Sequence, residues 1–129
     1  MPGLDPRQQV FLAGQHAEST DADNATATAT ATPHSSGDGQ AIGALFLLGI
    51  SADFSAAVSA IKAITITYTP PGSASTVDYV LRWDFSLGPA VIPFPGVLAC
   101  ERGTTATAAL AASGTGGTTG KIHLFYAEF

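Results

Sequence analysis

The sequence predicts an all-β protein, an antiparallel β-sandwich or jelly roll of about seven to eight short strands with an extended N-terminal arm. Apolar and polar residues alternate with a period of two in several segments, which is typical of strands with one buried face. Turn signals separate these segments at intervals of roughly 8–12 residues. The clearest pattern, residues 62–85, joins two alternating segments through a Pro-Pro-Gly-Ser turn at residues 70–73 and predicts an antiparallel hairpin.

The first 43 residues differ from the rest, and we predict an arm at residues 1–43 before a sandwich domain at residues 44–129. Most of the net charge of −5 lies in the first 40 residues. Residues 25–32 alternate Ala and Thr, which allows either an edge strand of the domain or an arm that orders against a neighbour. Residues 8–13 allow a short strand or a helical turn. The candidate partner-binding residues of this arm are Val10, Leu12, Thr26, Thr28, Thr30 and Thr32.

The segment at residues 44–54 predicts a strand with Phe46, Ile50 and Phe54 on one face. Its first half is apolar on both faces, which is typical of a central or covered strand. Residues 55–60 are a connection with room for a single helical turn. The predicted core residues are Phe46, Ile50, Phe54, Ile64, Ile66, Tyr68, Tyr79, Leu81, Trp83, Phe85, Leu110, Leu124 and Tyr126.

Three prolines within residues 89–95 exclude a central strand there, because proline cannot donate to the hydrogen-bond ladder. We expect residues 86–96 to be an extended edge or crossover segment. The remaining predicted elements are a short strand at 97–101, a strand at 104–112, a loop at 113–118 and a last strand at 119–129.

The composition of the chain favours some kinds of partner and surface and disfavours others. Charged residues are 12% of the chain, against a usual share of about 25%. This favours a surface partly covered by copies of the chain or by a partner, while a monomer coated with Thr, Ser and Gly is the alternative. The negative charge disfavours nonspecific binding to nucleic acid. The single cysteine, Cys100, forms no internal disulfide. No signal peptide or membrane span is predicted, and we expect a soluble protein made in the cytoplasm.

Candidate chemistry is sparse. His16, His34 and His123 lack the spacing of metal ligands, so a metal site would need folding to bring them together, and we predict no metal or other cofactor. Cys100 has no histidine nearby in sequence, as a nucleophile would need. The glycine-rich residues 114–120 lack the Gly-Lys-Ser/Thr ending of a phosphate loop, which favours a hairpin loop.

Two further patterns have a functional and a structural interpretation. Asp78 and Asp84 share a strand face with Arg82 between them. Paired carboxylates serve glycoside hydrolases, but a solvated face with an ion pair is the favoured interpretation. Trp83, with Tyr79 and Phe85, resembles an aromatic sugar platform, but its strand face predicts a place in the core. A small hydrolase using Asp78, Asp84 or Cys100 is a minor hypothesis, and we predict no enzymatic activity.

A resemblance rests on three stretches within the segment from Ile50 to Phe129. They read FSAAVSAIKAITITYTPPGSASTVDYVLRWDF, GPAVIPFPGVLACERG and TATAALAASGTGGTTGKIHLFYAEF. In this order, a Thr-rich hairpin, a Pro-rich crossover and a Gly/Thr hairpin closing on an aromatic strand resemble small virion-associated proteins of tailed bacteriophages and prophages.

The resemblance implies a β-sandwich capsid decoration (cement) protein, often a homotrimer, that binds the major capsid protein on the capsid exterior. The resemblance implies no active-site residues. It implies that the protein is made in the host cytoplasm and is located in the virion. A tail or head-spike component that contacts host-surface glycans is the alternative. The first 43 residues lie outside the resemblance, and the hypothesis gives them the capsid-binding role.

Overall fold

The computed structural model describes residues 15–129, which form two antiparallel sheets packed against each other. The predicted all-β sandwich is therefore confirmed. One sheet has the order β1-β9-β4-β7, with β2 also paired to β9, and the other has the order β3-β8-β5-β6. Within the described residues, no helix has the length and hydrophobicity needed to cross a membrane. The strands are β1 (Gln15–Glu18), β2 (Ala22–Asp23), β3 (Ala27–Ala31), β4 (Leu45–Phe54), β5 (Ile61–Tyr68), β6 (Val77–Asp84), β7 (Ala90–Ala99), β8 (Ala106–Leu110) and β9 (Thr119–Glu128).

The strand pairs are nested along the chain. The innermost pair, β5 with β6, is enclosed by β4 with β7, then by β3 with β8, and last by β1 with β9. Successive nested pairs belong to alternate sheets. The described residues therefore fold as one long hairpin wrapped across both sheets, and the first described strand pairs with the last.

The predicted hairpin at residues 62–85 is confirmed as β5 and β6, which pair in antiparallel register from Ile61 opposite Asp84 to Tyr68 opposite Val77. The turn is closed by the backbone N–H of Ser73, which donates to Pro70 O at 3.1 Å. Gly72 has φ 77°, a conformation that glycine adopts without steric cost. Local turn chemistry and period-two alternation therefore agree with the tertiary fold in this hairpin.

The Ala/Thr segment is an edge strand, which is the first of the two alternatives that the sequence left open. In β3, Ala27, Ala29 and Ala31 are buried and lie opposite Leu110, Ala108 and Ala106 of β8. Because β1, β2 and β3 pair within the two sheets, the predicted boundary at residue 43 does not separate an arm from the sandwich. Small alanines let β3 pack closely over the other sheet.

The predicted faces of β4 are wrong in its first half. Leu45 and Leu47 are fully buried and Phe46 is only half-buried, the reverse of the expectation. The pairing of β4 with both β7 and β9 shifts between Leu47 and Gly49, which marks a β-bulge at this point. A bulge adds one residue to a strand and reverses the alternation beyond it, so Ile50 and Phe54 still face the core.

The proline-rich segment is an edge strand, the first of the two alternatives that the sequence left open. β7 runs through Pro93 and Pro95 and pairs with β4 alone among the described strands. An edge position tolerates proline because one side of the strand needs no donor. The short strand expected at 97–101 is the end of β7, which stops at Ala99.

The core lies between the two sheets and confirms about half of the predicted set as buried. The buried members are Ile50, Phe54, Ile64, Ile66, Phe85, Leu110 and Leu124. Half-buried members packed against the margin of the core are Tyr68, Tyr79, Leu81, Trp83 and Tyr126. Phe46 is half-buried on the other face of β4, where its ring meets that of Phe129 with centroids 5.1 Å apart.

Polar contacts fasten the carboxyl end of β9 to distant loops. Glu128 Oε2 accepts hydrogen bonds from the backbone N–H of His34 at 2.6 Å and contacts its Nδ1 at 3.0 Å. Arg102 Nη1 donates to the carbonyl of Phe129 at 3.4 Å and to that of Ile42 at 2.6 Å. The donation from the His34 N–H holds the pKa of Glu128 below its usual value, because the hydrogen bond stabilises the carboxylate.

We expect Glu128→Gln to flatten the acid limb of the stability profile. A carboxylate with a lowered pKa stabilises the fold above its unfolded pKa, and this stability is lost as the pH falls through the folded pKa. The wild-type free energy of unfolding should therefore fall more steeply than that of the variant below the ordinary carboxyl range. Urea unfolding over a series of acid pH values measures both slopes, with Asp53→Asn as the control on the same sheet. Equal slopes in wild type and Glu128→Gln would contradict the role of Glu128.

Candidate functional site

The predicted arm residues that the structure describes lie on one exposed side of β3 and its flanks. Thr28 and Thr30 are exposed on the strand, and Thr26 and Thr32 are exposed beside it. The alanines between them point into the core, so the alternation gives the strand one buried face of alanines and one exposed face of threonines. Val10 and Leu12 lie outside the described residues.

β3 is also an open edge. It pairs with β8 on one side, and no described strand pairs with its other side. An open edge offers unpaired N–H and C=O groups to an extended segment of another chain. The threonine hydroxyls line the strand without adding charge, and β-branched side chains favour further pairing. This threonine edge, defined as Thr26, Thr28, Thr30 and Thr32, can therefore add a strand from a partner.

A second surface lies on the opposite side of the sandwich, where β6 and β7 are the outer strands of the two sheets among the described residues. The 3-10 turn at Phe85–Leu87 connects them. The rings of Tyr79 and Phe94 meet edge-to-face with centroids 5.9 Å apart. The two strands therefore border the same side of the sandwich.

This surface exposes large apolar side chains. Leu87 is 74% exposed, Ile61 is 63% exposed and Val97 is 56% exposed. Single exposed apolar residues are ordinary, whereas a group on one side of a small domain is typical of an interaction surface. We use the name apolar edge for the exposed apolar residues of β6, β7, the turn between them and the start of β5, where Ile61 lies opposite Asp84. They are Ile61, Val77, Val80, Leu87, Val91 and Val97.

The sequence analysis did not predict the apolar edge as a site. Val80 is the one residue of this set that the sequence pattern could have identified as exposed and apolar. It shares a strand face with the charged residues Asp78, Arg82 and Asp84. The other members sit at strand ends, in the turn and on the proline-rich strand, where periodicity does not separate an inner from an outer face. Their exposure depends on which strands become edges.

The two carboxylates weighed for catalysis have structural partners. Asp78 accepts a hydrogen bond from the Thr67 hydroxyl at 2.8 Å across the β5–β6 pair. Asp84 caps the 3-10 turn, accepting from the hydroxyl of Ser86 at 2.6 Å and from its backbone N–H at 3.0 Å. These Ser86 donors lower the pKa of Asp84, which favours an ionised cap over a general acid.

Cys100 is buried, and its thiol lies 3.9 Å from the Leu98 carbonyl. Burial raises the pKa of Cys100 to about 11, because the apolar surroundings disfavour the thiolate. The thiolate is the nucleophilic form of cysteine. At neutral pH this side chain is therefore a neutral part of the core.

Trp83 also has a structural role. Its indole N–H donates to the Gly88 carbonyl at 2.9 Å, and the ring packs against the margin of the core with Tyr79 and Leu81. A sugar platform needs an aromatic face open to solvent. The described geometry supports the interpretation that the sequence analysis favoured, a core residue that fixes the turn after β6.

Two backbone N–H groups of the glycine-rich loop donate hydrogen bonds to side chains of the protein itself. The backbone N–H of Gly114 donates to Asn24 Oδ1 at 2.9 Å, and that of Gly117 donates to Asp23 Oδ1 at 2.8 Å. These are the donors that a phosphate would use. A side-chain carboxylate takes one of these donors and a side-chain amide the other, so the loop serves to join β8–β9 to the segment before β3.

Folding does bring two of the three histidines together. His16, Glu18 and His123 each place one potential ligand atom within 4.8 Å of the other two. The third histidine, His34, is instead bonded to Glu128. The three-residue group mixes two imidazoles with one carboxylate, which is a donor set that suits zinc. Sequence spacing missed it because the residues belong to the first and last described strands.

Comparison with known proteins gives no independent assignment. No protein-family model matches the chain, and no curated protein is significantly similar to it.

Proposed function

We propose that this chain is a non-enzymatic virion structural protein, a capsid decoration (cement) protein that associates as a homotrimer and binds the outer surface of the major capsid protein. The apolar edge is the observation that carries the proposal. The resemblance of the segment from Ile50 to Phe129 to phage virion proteins supplies the biological setting. In this setting the protein is made in the host cytoplasm and is found on the capsid exterior.

The apolar edge supports self-association. Its most exposed members, Leu87 and Val97, would lose contact with water in an interface, and burial of apolar surface contributes roughly 25 cal/mol per Å². The charged fraction of 12% leaves few charges to be desolvated when copies meet. A trimer in which each copy buries this edge satisfies both observations.

The nested strand pairing supports the virion setting. Four nested strand pairs among the described residues alternate between the two sheets, with the first described strand paired to the last. This is the arrangement expected of a jelly roll. We propose that the sandwich is of this type. Jelly rolls are common in viral capsid proteins and in lectins, so the arrangement is compatible with both the decoration hypothesis and its alternative.

The threonine edge is the proposed capsid-binding surface, together with residues 1–14. It lies at β3, away from the apolar edge, so one copy can bind capsid and its neighbours at once. A segment of the major capsid protein that adds to β3 would gain main-chain hydrogen bonds without needing opposite charge.

Co-sedimentation with capsids that lack the protein tests the function. Saturable binding at a fixed ratio to the major capsid protein, near one to one for trimers on three-fold positions, is the expected result. Deletion of residues 1–14 and Thr28→Asp should each lower occupancy. Unchanged occupancy in both variants would remove the proposed capsid-binding surface, and no binding by the wild type would remove the decoration function.

Charge placed in the apolar edge should dissociate the oligomer. Leu87→Asp and Val97→Asp put a carboxylate where copies are proposed to meet, and we expect each to shift the mass in sedimentation velocity from trimer to monomer. Thr28→Asp adds the same charge at an exposed strand position outside the apolar edge and should leave the mass unchanged. A wild-type monomer, or trimers in all variants, would contradict self-association through this edge.

The alternative function is a tail or head-spike component that contacts host-surface glycans. It predicts that the protein is found in purified tails or spikes and that it binds sugars in a glycan array. Absence from those fractions, together with capsid binding, separates the decoration function from this alternative.

A further inference from the structure

The two ends of the described chain place three metal-binding side chains on one exposed face. His16 and Glu18 alternate with Ala17 along β1, so both point away from the core. Glu18 lies directly opposite His123 of β9 in the antiparallel register, and His16 lies opposite Phe125. The ring centroids of His16 and His123 are 5.3 Å apart. The β1–β9 pairing therefore assembles a group that neither strand forms alone.

We propose that His16, Glu18 and His123 bind a divalent transition-metal ion, zinc by preference, that links β1 to β9. Two imidazole nitrogens and one carboxylate oxygen are a recognised ligand set for zinc, with a remaining position open to water. Magnesium and calcium prefer oxygen ligands alone. The mixed nitrogen and oxygen set therefore selects a metal of the zinc type.

The observed spacing is compatible with closure onto one ion. Ligand atoms bound to a tetrahedral zinc at about 2.1 Å lie roughly 3.4 Å apart, whereas these atoms are within 4.8 Å of one another. His16 and Glu18 are exposed, so small rotations of their side chains can shorten the separations. The backbone positions are already fixed by the strand pairing.

Charge and burial suit the ligand forms that a metal needs. The hydrogen bond from Lys121 lowers the pKa of Glu18, and its carboxylate is ionised at neutral pH. Partial burial lowers the pKa of His123, which favours the neutral imidazole that binds metal. Lys121 Nζ lies 2.5 Å from Glu18 Oε1 and 4.0 Å from Asp21 Oδ1, so the ammonium competes with the ion.

The surroundings leave space for a water ligand and limit movement of the imidazoles. The rings of His16 and His123 lie 5.6 Å and 6.3 Å from that of Phe125. An open depression of about 200 Å³, lined in part by Ser51, Asp53 and His123, adjoins the site. The aromatic ring supports one side of the group, and the depression gives solvent access on the other.

The ion would stabilise a short outer strand of the first sheet. β1 spans four residues and pairs with β9 alone among the described strands, so it has few backbone hydrogen bonds of its own. A ligand that binds only the folded state stabilises it in proportion to its concentration over Kd. The metal would therefore fasten the first described strand to the last, independently of the apolar edge on the far side.

Isothermal titration of the full chain with zinc chloride at neutral pH, without chelators, tests the proposal. We expect one equivalent of zinc per chain. His16→Ala and His123→Ala should each weaken binding by at least about tenfold, and Lys121→Met should tighten it a few-fold by removing a weak surface competitor. His34→Ala removes the third histidine outside the group and should leave the affinity unchanged.

Thermal unfolding with and without zinc provides a second readout. Zinc should raise the melting temperature of the wild type and of His34→Ala, and should not raise that of His16→Ala. Circular dichroism establishes that each variant is folded before titration. No zinc binding by the folded wild type, wild-type affinity in His16→Ala and His123→Ala, or loss of binding in His34→Ala would each overturn the proposal.

Discussion

Leu124→Ala is expected to lower the free energy of unfolding by about 2–5 kcal/mol. Leu124 is fully buried in β9, between Ala17 of β1 and Ile50 of β4. Its side chain points into the core between the sheets, with β3 and β8 packed over β9. Truncation removes the burial of three heavy atoms and leaves a cavity that a sheet held on both sides closes only partly.

Leu87→Ala is the matched control for this prediction. It makes the same chemical change at a leucine that is 74% exposed in the single chain. In the monomer, at a protein concentration at which the proposed trimer is dissociated, substitutions at such positions change stability by about 0.5 kcal/mol or less. Urea unfolding of both variants, with equal m-values, gives the difference in stability. Comparable losses in Leu87→Ala and Leu124→Ala would contradict the burial of Leu124 between the two sheets.

The elements that could be predicted are those whose local chemistry decides their structure. The hairpin of β5 and β6 combines strict alternation with the turn at residues 70–73, and both signals act over neighbouring residues. The edge position of β7 follows from the missing donors of Pro93 and Pro95. In these segments the sequence favours one conformation before any distant contact forms.

The start of β4 could not be predicted, because four consecutive apolar residues at 45–48 give no signal for the inner face. The bulge between Leu47 and Gly49 decides it. A bulge depends on how β4 pairs with strands on both sides, which periodicity does not record. The outcome is that Leu45 and Leu47, not Phe46, fill the core.

The candidate sites depend still more on long-range pairing. His16 and His123 come together only because the first described strand pairs with the last. Likewise, Val80 and Val97 lie on the same side of the sandwich only because β6 and β7 become the outer strands there. Residue type identifies the histidines and Val80 as candidates, but strand order determines which residues become neighbours. Strand order has no local signature in the sequence.

Ala29→Asp is expected to destabilise the protein by roughly 3–5 kcal/mol, the cost of a buried charge without a partner. Ala29 is fully buried in β3 and lies opposite Ala108, which is also fully buried. A methyl group on each strand leaves no space for a carboxylate and its water. This cost is a large part of the usual 5–15 kcal/mol of total stability, so partial unfolding at ambient temperature is expected.

Ala25→Asp provides the same change at an exposed position just before β3, and we expect little effect from it. Chemical unfolding followed by circular dichroism compares the two variants. If both were as stable as the wild type, β3 would not be part of the sandwich, and the Ala/Thr segment would act as a free arm. If Ala29→Asp alone is destabilised, a deletion of residues 1–32 would remove three paired strands, and loss of capsid binding in that deletion would report unfolding. Deletion of residues 1–14 is then the informative truncation.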